Sequence, residues 1–385
     1  MKPERAGHVV IRGVNWLGDA VMTTPAVQRL RERFPDARIT LLCADKLRDL
    51  WTSHPAIDQV TTFAPREGLL SVSRKLRSID ADLAVVFPNS LRSALEAWTA
   101  GIPRRVGSGG FPRTWFLTDR VASPPGVARM RKRTVEEVRK ITATAAQKSA
   151  VGRTAYPADS HQLHHYLRLA AHLGADSSPL PPRLCPAESA TVSMRTRLAD
   201  AIASGAPWIG LNAGAEYGPA KRWPLDRFAE TARLLNERML ARLPGRVAPR
   251  FILFGGKADI PLAHELTGRL KGLHVTSLAG QTSLAELMAA LALCQVLITN
   301  DTGPMHLAAA LGVPVVVPFG STSPELTGPG LPGDPRHRLL LGQAACAPCF
   351  LRQCPVDFRC MDSIPVERVV TATLEVLARS SEIQE

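Results

Sequence analysis

Aromatic residues are scarce in this chain: Phe, Trp and Tyr make up 5% of 385 residues, with three tyrosines in all. Single-stranded nucleic acids are held by stacking bases on aromatic faces, so a chain this poor in rings, with no RNP motif and no zinc-finger pattern, argues against nucleic acid as a partner. No apolar run reaches the roughly 18 to 20 residues that a membrane-spanning helix needs. The opening MKPERAGHVVIRG lacks the long apolar core of a signal peptide. A cytoplasmic protein is the expectation. Two nucleotide fingerprints are missing as well. No G-x-G-x-x-G follows the first strand of either half, and no G-x-x-x-x-G-K-[ST] occurs, which speaks against a simple dehydrogenase or a P-loop enzyme.

What is present begins with charge. The net charge is +13, and residues 1–160 carry 26 Lys and Arg against 15 Asp and Glu, so the excess lies in the first half. Such a half suits a polyanionic partner, whether a phosphorylated glycolipid or an anionic membrane leaflet; a solvated Arg-rich surface is the plainer alternative. The candidate cations are Arg74, Lys75, Arg77, Arg104, Arg105, Arg113, Arg131, Lys132 and Arg133.

Along the chain, buried-strand runs alternate with helical patterns: HVVIR, a helix near 20–33, ARITLLC, a helix near 46–53, a strand near 58–63, DLAVVF, the helix SLRSALEAWTA, and RRVG. Residues 108–160 read as irregular around one helix at 134–148, and a helix near 160–173 follows. The proline-rich SSPLPPRLCPAE is the linker candidate. After it the alternation restarts with WIGLNAG and continues through RFILFGG, HVTSLAG, QVLITN and VPVVVPFG. Repeated βα units form parallel sheets. With 385 residues, the expectation is an α/β protein of two Rossmann-like domains, at 1–180 and 181–364, with a ligand cleft between them and a terminal helix in 365–385.

Three stretches carry chemistry. In RGVNWLGDAVMTTPAVQRL, Asp19 stands where a strand passes into a helix, at the sheet edge where open α/β folds bind ligands; base, ligand clamp and helix cap are all open to it. In ITNDTGPMHLAAALG, Asp301, Thr302 and Gly303 open a helix whose N–H groups and positive dipole end suit a diphosphate, with Asp301 alternatively a cap. His306, one turn on, faces ligand or core. In LNAGAEYGPAKRWP, Lys221 and Arg222 precede a helix and either meet that diphosphate or are ordinary surface charge. Asp259 in FGGKADIP is a candidate for ribose hydroxyls. Of seven cysteines, Cys43, Cys185 and Cys294 read as inert. Cys346, Cys349, Cys354 and Cys360 form CAPCFLRQCPVDFRC, for which a structural metal, disulfides and free thiols all stay open.

These stretches, with FPNSLRSALEAWTAGIPRRVG, FGSTSPELTGP and CAPCFLRQCPVDFRCM, resemble the ADP-heptose:lipopolysaccharide heptosyltransferases, most of all the heptosyltransferase II branch, in order and separation from about residue 8 to 380. The resemblance implies a GT-B fold with parallel sheets facing across a cleft. The first domain would take the acceptor, the second would hold ADP-heptose, and the helix in 365–385 would cross back to the first. It further implies inverting transfer of heptose to the heptosyl-Kdo inner core of lipopolysaccharide without a metal or other cofactor, with Asp19 as the base. Lys221, Arg222, Asp301, Thr302, Gly303, His306 and Asp259 would then face the donor. Arg74, Lys75, Arg77 and Arg113 would face the phosphorylated Kdo-lipid A acceptor, at the cytoplasmic leaflet.

Overall fold

In the computed structural model, which describes residues 6–128, 130–145, 156–242 and 247–382, the chain forms two compact units. The first comprises residues 1–127 and 159–185, the second 128–158 and 186–385.

The first unit is built on six parallel strands: β1 (His8–Arg12), β2 (Arg38–Ala44), β3 (Gln59–Phe63), β4 (Leu83–Val86), β5 (Arg104–Ser108) and β6 (Asp119–Val121). Their spatial order is β3-β2-β1-β4-β5-β6. The second has β7 (Trp208–Asn212), β8 (Arg250–Leu253), β9 (His274–Ser277), β10 (Val296–Thr299), β11 (Val315–Phe319) and β12 (Arg338–Leu341). Read from the other edge, their order is β9-β8-β7-β10-β11-β12, the same doubly wound arrangement repeated. The central strands are apolar throughout because helices cover both faces; Val9, Val10, Ile11, Ile209, Leu211, Leu297 and Ile298 have no exposed surface. In each sheet the winding reverses between the first and fourth strands, β1 and β4 or β7 and β10. A crevice at the carboxyl ends is expected there.

Local chemistry fixes the helices that flank these switch points. The helix Leu17–Arg33 contains Pro25, which lacks the N–H that would reach the Val21 carbonyl. The Thr24 hydroxyl donates to that carbonyl instead, at 2.9 Å, so the helix runs on with its acceptor satisfied. Ser90 caps Leu91–Thr99 by accepting from the Ser93 N–H, and Ser283 with Glu286 forms a capping box on Leu284–Leu291.

Two segments bear on the expected organisation. The described residues within 128–158, a segment assigned from sequence to the first domain, join the second unit. There the Arg133 N–H donates to the Cys349 carbonyl and the side chain of Val138 packs against Cys346 and Cys349. Its described residues carry five Lys and Arg against two Glu, so three of the eleven excess charges of residues 1–160 leave the first unit with them. The concentration of charge along the sequence is therefore not a concentration on one unit. The last helix, Val366–Glu382, packs along β10, β11 and β12 and against Leu225–Arg242 in the second unit. Its apolar face, with Val369, Val370 and Val376, closes that core. Among the described residues no helix is long and apolar enough to cross a membrane.

Candidate active site

At the switch point of the first unit, the loop after β1 leads into Leu17–Arg33 with Trp16 in the N-cap position and no side-chain cap bond. Asp19 lies three residues further, half-exposed in the first turn. There the helix dipole favours a carboxylate, but the capping position itself belongs to another residue. The Tyr166 hydroxyl stands 3.5 Å from Asp19 Oδ1 and receives a bond from Gln162 Nε2 at 3.1 Å. Burial, reinforced by the Asp19 charge, holds the Tyr166 phenol well above its ordinary pKa, so it stays a proton donor toward Asp19.

The loop itself is anchored from below by a buried ion pair. Arg12 Nε meets Glu96 Oε2 at 2.8 Å with both side chains almost fully covered, and the Arg12 guanidinium lies 4.4 Å from the centroid of the Phe63 ring. Beside it, Asn89 after β4 joins Ser108 at the end of β5 (2.6 Å) and His165 (3.2 Å). Tyr166, His165, Asn89 and Arg12 were missed from sequence. Tyr166 and His165 come from Gln162–His172, about 150 residues from Asp19; the one usable signal was a tyrosine in a chain with only three.

The expected acceptor cations fare differently. Arg113 is buried, not cleft-facing: its guanidinium donates to Pro88 O and Ser108 Oγ, each at 2.8 Å, and burial lowers its pKa to about 10. Lys75 is held by Glu67 and the Thr62 carbonyl, both at 2.9 Å, and Arg77 donates to the Thr99 carbonyl at 2.7 Å. Arg104 pairs with Asp119, and Arg105 ties down the Phe116 carbonyl. Arg131 and Arg133 belong to the second unit. Arg74 is exposed.

In the second unit, the loop after β7 and the loops after β10 and β11 converge at the second switch point. Asp301 is buried, and its Oδ2 accepts from Lys221 Nζ and from Thr322 Oγ1, each at 2.6 Å. Asp301 is thus the counter-ion that positions Lys221, a role sequence alone did not suggest. The ammonium also sits 5.0 Å from the centroid of the Tyr217 ring. Below them Asn300, fully buried, accepts from the Trp223 N–H (2.9 Å) and donates to the Ala213 carbonyl (2.8 Å), which locks the β7 loop onto β10.

Thr302, extended at φ −154°, is the N-cap of Gly303–Ala310 without spending its hydroxyl on a cap bond, and both Thr302 and Gly303 are half-exposed. Pro304 in the first turn pre-sets the helical φ. His306 is buried in this helix. Arg222 Nε is buried with no partner among the described residues, while its terminal nitrogen is 3.9 Å from Asp259. Asp259 accepts from the Gly256 N–H at 3.0 Å and packs so closely on Gly214 that a Cβ there would lie 2.6 Å from its carboxylate. Lys221, Arg222, Asp301, Thr302 and Asp259 therefore share one sheet edge. A helix N-terminus, a fixed ammonium and an under-partnered guanidinium together make an anion site of the kind that holds a diphosphate.

All four late cysteines line one small cavity in this unit. Burial raises the Cys360 thiol to about 12, and Cys349 is raised also. Cys43 and Cys294 are buried, whereas Cys185 is exposed.

The comparisons with known proteins fit this geometry. Residues 69–358 match the profile of glycosyltransferase family 9 (heptosyltransferase). The chain is 29% identical over 335 residues to lipopolysaccharide heptosyltransferase 2 of Escherichia coli strain K12, covering 83% of this chain and 85% of that one. It is 27% identical over 363 residues to lipopolysaccharide heptosyltransferase 1 of Pseudomonas aeruginosa, covering 90% and 87%. The solved structure of E. coli ADP-heptose LPS heptosyltransferase II superposes with a TM-score of 0.72 at 26% identity, covering 97% of this chain and 99% of that one.

Proposed function

The chain belongs to glycosyltransferase family 9, and from that premise we propose that it moves heptose from ADP-L-glycero-D-manno-heptose to the heptosyl-Kdo inner core of lipopolysaccharide, with inversion at the anomeric carbon. The observation that carries this reading is a division of chemical labour between two equivalent switch points. One offers a half-exposed carboxylate with a tyrosine donor, the other a diphosphate cradle.

In the proposed reaction the Asp19 carboxylate takes the proton of the acceptor hydroxyl as that oxygen attacks the anomeric carbon from the face opposite ADP. The bond to the diphosphate oxygen breaks, and its electron pair leaves with ADP. The growing charge is met by Lys221, the Thr302 hydroxyl and the Gly303 N–H, groups already oriented and so without reorganisation cost in the transition state. Asp301 and Thr322 keep Lys221 in place rather than touching the donor, and Asp259 faces the ribose. Of the four acceptor residues expected from sequence, Arg74 retains that role; Lys75, Arg77 and Arg113 support the unit that presents it.

Contact with the cytoplasmic leaflet is assigned to Phe111 and Trp115, which are 80% and 67% exposed and stack edge to face with centroids 5.2 Å apart. Exposed rings of this kind settle at the headgroup boundary.

The test is ADP release with two acceptors, Kdo₂-lipid A and its mono-heptosylated form. Transfer to the second alone supports the proposal. Transfer to the unheptosylated acceptor alone instead gives a heptosyltransferase I activity, the reading favoured by the P. aeruginosa relative. Release with neither acceptor, given ADP-heptose, overturns both.

A further inference from the structure

The four cysteines that the transfer reaction leaves unused sit where they matter to the donor site. Cys346, Cys349, Cys354 and Cys360 face one small, largely enclosed cavity, with Val138 and Arg359 also in its wall. Ser321 lines the same cavity, is 2% exposed, and its hydroxyl has no partner among the described residues. The segment doubles back twice. Phe350, directly after Cys349, and Phe358, two before Cys360, adopt left-handed backbone at φ 55° and 56°, a conformation unfavourable for a bulky side chain. The second of these turns aims a backbone donor at sulfur: the Phe358 N–H lies 3.3 Å from Cys354 Sγ. Backbone N–H donors of this kind orient and stabilise thiolate ligands.

We propose that these four cysteines bind one divalent, thiolate-preferring ion of the zinc class in a closed tetrahedral site. Four thiols give up four protons to solvent, and the resulting tetrathiolate complex carries two negative charges; the adjacent cation is Arg359, itself paired with Asp357. Among the described residues no three such side chains already converge on a common metal point, so the ion draws the sulfurs inward to about 2.3 Å by side-chain rotation.

The site has a structural purpose. The Cys349 and Phe350 N–H groups donate to the Ser321 carbonyl, the Tyr217 hydroxyl donates to the Phe350 carbonyl at 2.8 Å, and the Ala220 N–H donates to the Arg352 carbonyl. Arg352 Nε reaches back to the Tyr217 carbonyl at 2.7 Å. The loops tied in this way are those that carry Lys221 and Thr322, the two partners of Asp301. The ion therefore clamps the loops of the diphosphate site. Only this last consequence rests on the proposed function; the metal assignment stands without it.

The test uses the full-length protein purified under reducing conditions without chelator. Elemental analysis is expected to give about one zinc or iron per chain, or uptake of about one equivalent of added zinc. Cobalt substitution is expected to give the intense visible bands of a tetrahedral tetrathiolate, lost in Cys346→Ser/Cys349→Ser and kept in Cys185→Ser. Wild type alone decides the matter if the double variant does not fold. Less than about a tenth of an equivalent before and after zinc addition, or a mass four units low from two disulfides with no metal, overturns the assignment. With the metal present, chelation is expected to weaken ADP binding at least tenfold, and unchanged binding would remove the clamp while leaving the site.

Discussion

Replacing Asp301 with alanine tests whether Lys221 is held by a buried counter-ion. The pair is short, at 2.6 Å, and both side chains are largely covered, 14% and 4% exposed. At an effective dielectric constant of about 20, unit charges about 3 Å apart attract by roughly 5 to 6 kcal/mol, but desolvation of the two ions offsets most of that. The quantity the experiment reads is the cost of leaving one partner buried alone, about 3 to 5 kcal/mol. Loss of the acceptor for Thr322 adds about 1 kcal/mol. Asp301→Ala is therefore expected to destabilise by about 4 to 6 kcal/mol in urea unfolding, and Lys221→Met by about 3 to 5 kcal/mol. The double variant carries no orphaned charge, so it is expected to be no worse than either single change, a coupling of at least about 4 kcal/mol. Costs that add to within about 0.5 kcal/mol would refute the pairing.

The other expectations follow from the same reasoning. Glu96→Ala strands the buried Arg12 guanidinium and is expected to cost about 3 to 5 kcal/mol in denaturant unfolding; a cost below about 1 kcal/mol would mean that the pair is not what anchors the loop before Asp19. In Gly218→Ala the new methyl would collide with the Arg352 carbonyl oxygen, with φ at +152°, so it is expected to weaken ADP binding as well as stability, and unchanged binding would count against the link between the cysteine-rich segment and Lys221. His54 and His337 are buried and neutral, their pKa values lowered to about 4 by desolvation. Each accepts a backbone N–H on Nδ1, from Ala56 and Val315 respectively. Because the folded-state pKa lies below the unfolded value of about 6.5, nothing is lost above that pH, and stability falls as pH drops from 6.5 toward 4. Roughly 2 kcal/mol per histidine should go between pH 6.5 and 5, and His54→Gln should flatten that slope; an unaltered slope would exclude His54. Phe111→Ala/Trp115→Ala is expected to reduce sedimentation with anionic vesicles at least tenfold at unchanged thermal stability, and equal sedimentation would move the lipid contact elsewhere.

The sheets were legible because parallel strands covered on both faces must be apolar throughout, and runs such as HVVIR and QVLITN leave no other reading. What escaped was short or non-local. The strand Asp119–Val121 is three residues long, and Arg338–Leu341 sits at an edge. The segment 128–158 follows its neighbours in sequence but is bound to the second unit by bonds spanning more than 200 residues, such as that from Arg133 Nε to the Pro348 carbonyl.

The candidate site divides in the same way. The placement of Asp19, Thr302 and Gly303 was readable because strand-to-helix junctions position them locally. The tasks of Asp301, Arg113 and Tyr166 depend on partners that sequence does not bring near. A guanidinium can serve a ligand or tie down carbonyls, and only the partner distinguishes them: Arg113 has the carbonyls of Pro88 and Ser108.

The central claim, that Asp19 is the base, is tested most directly by steady-state heptose transfer with Asp19→Asn alongside donor binding to the same variant. The account predicts ADP-heptose affinity within about twofold of wild type and a kcat at least about a hundredfold lower, because only the proton acceptor has gone. A variant that folds, binds donor and turns over within tenfold of wild type would contradict it.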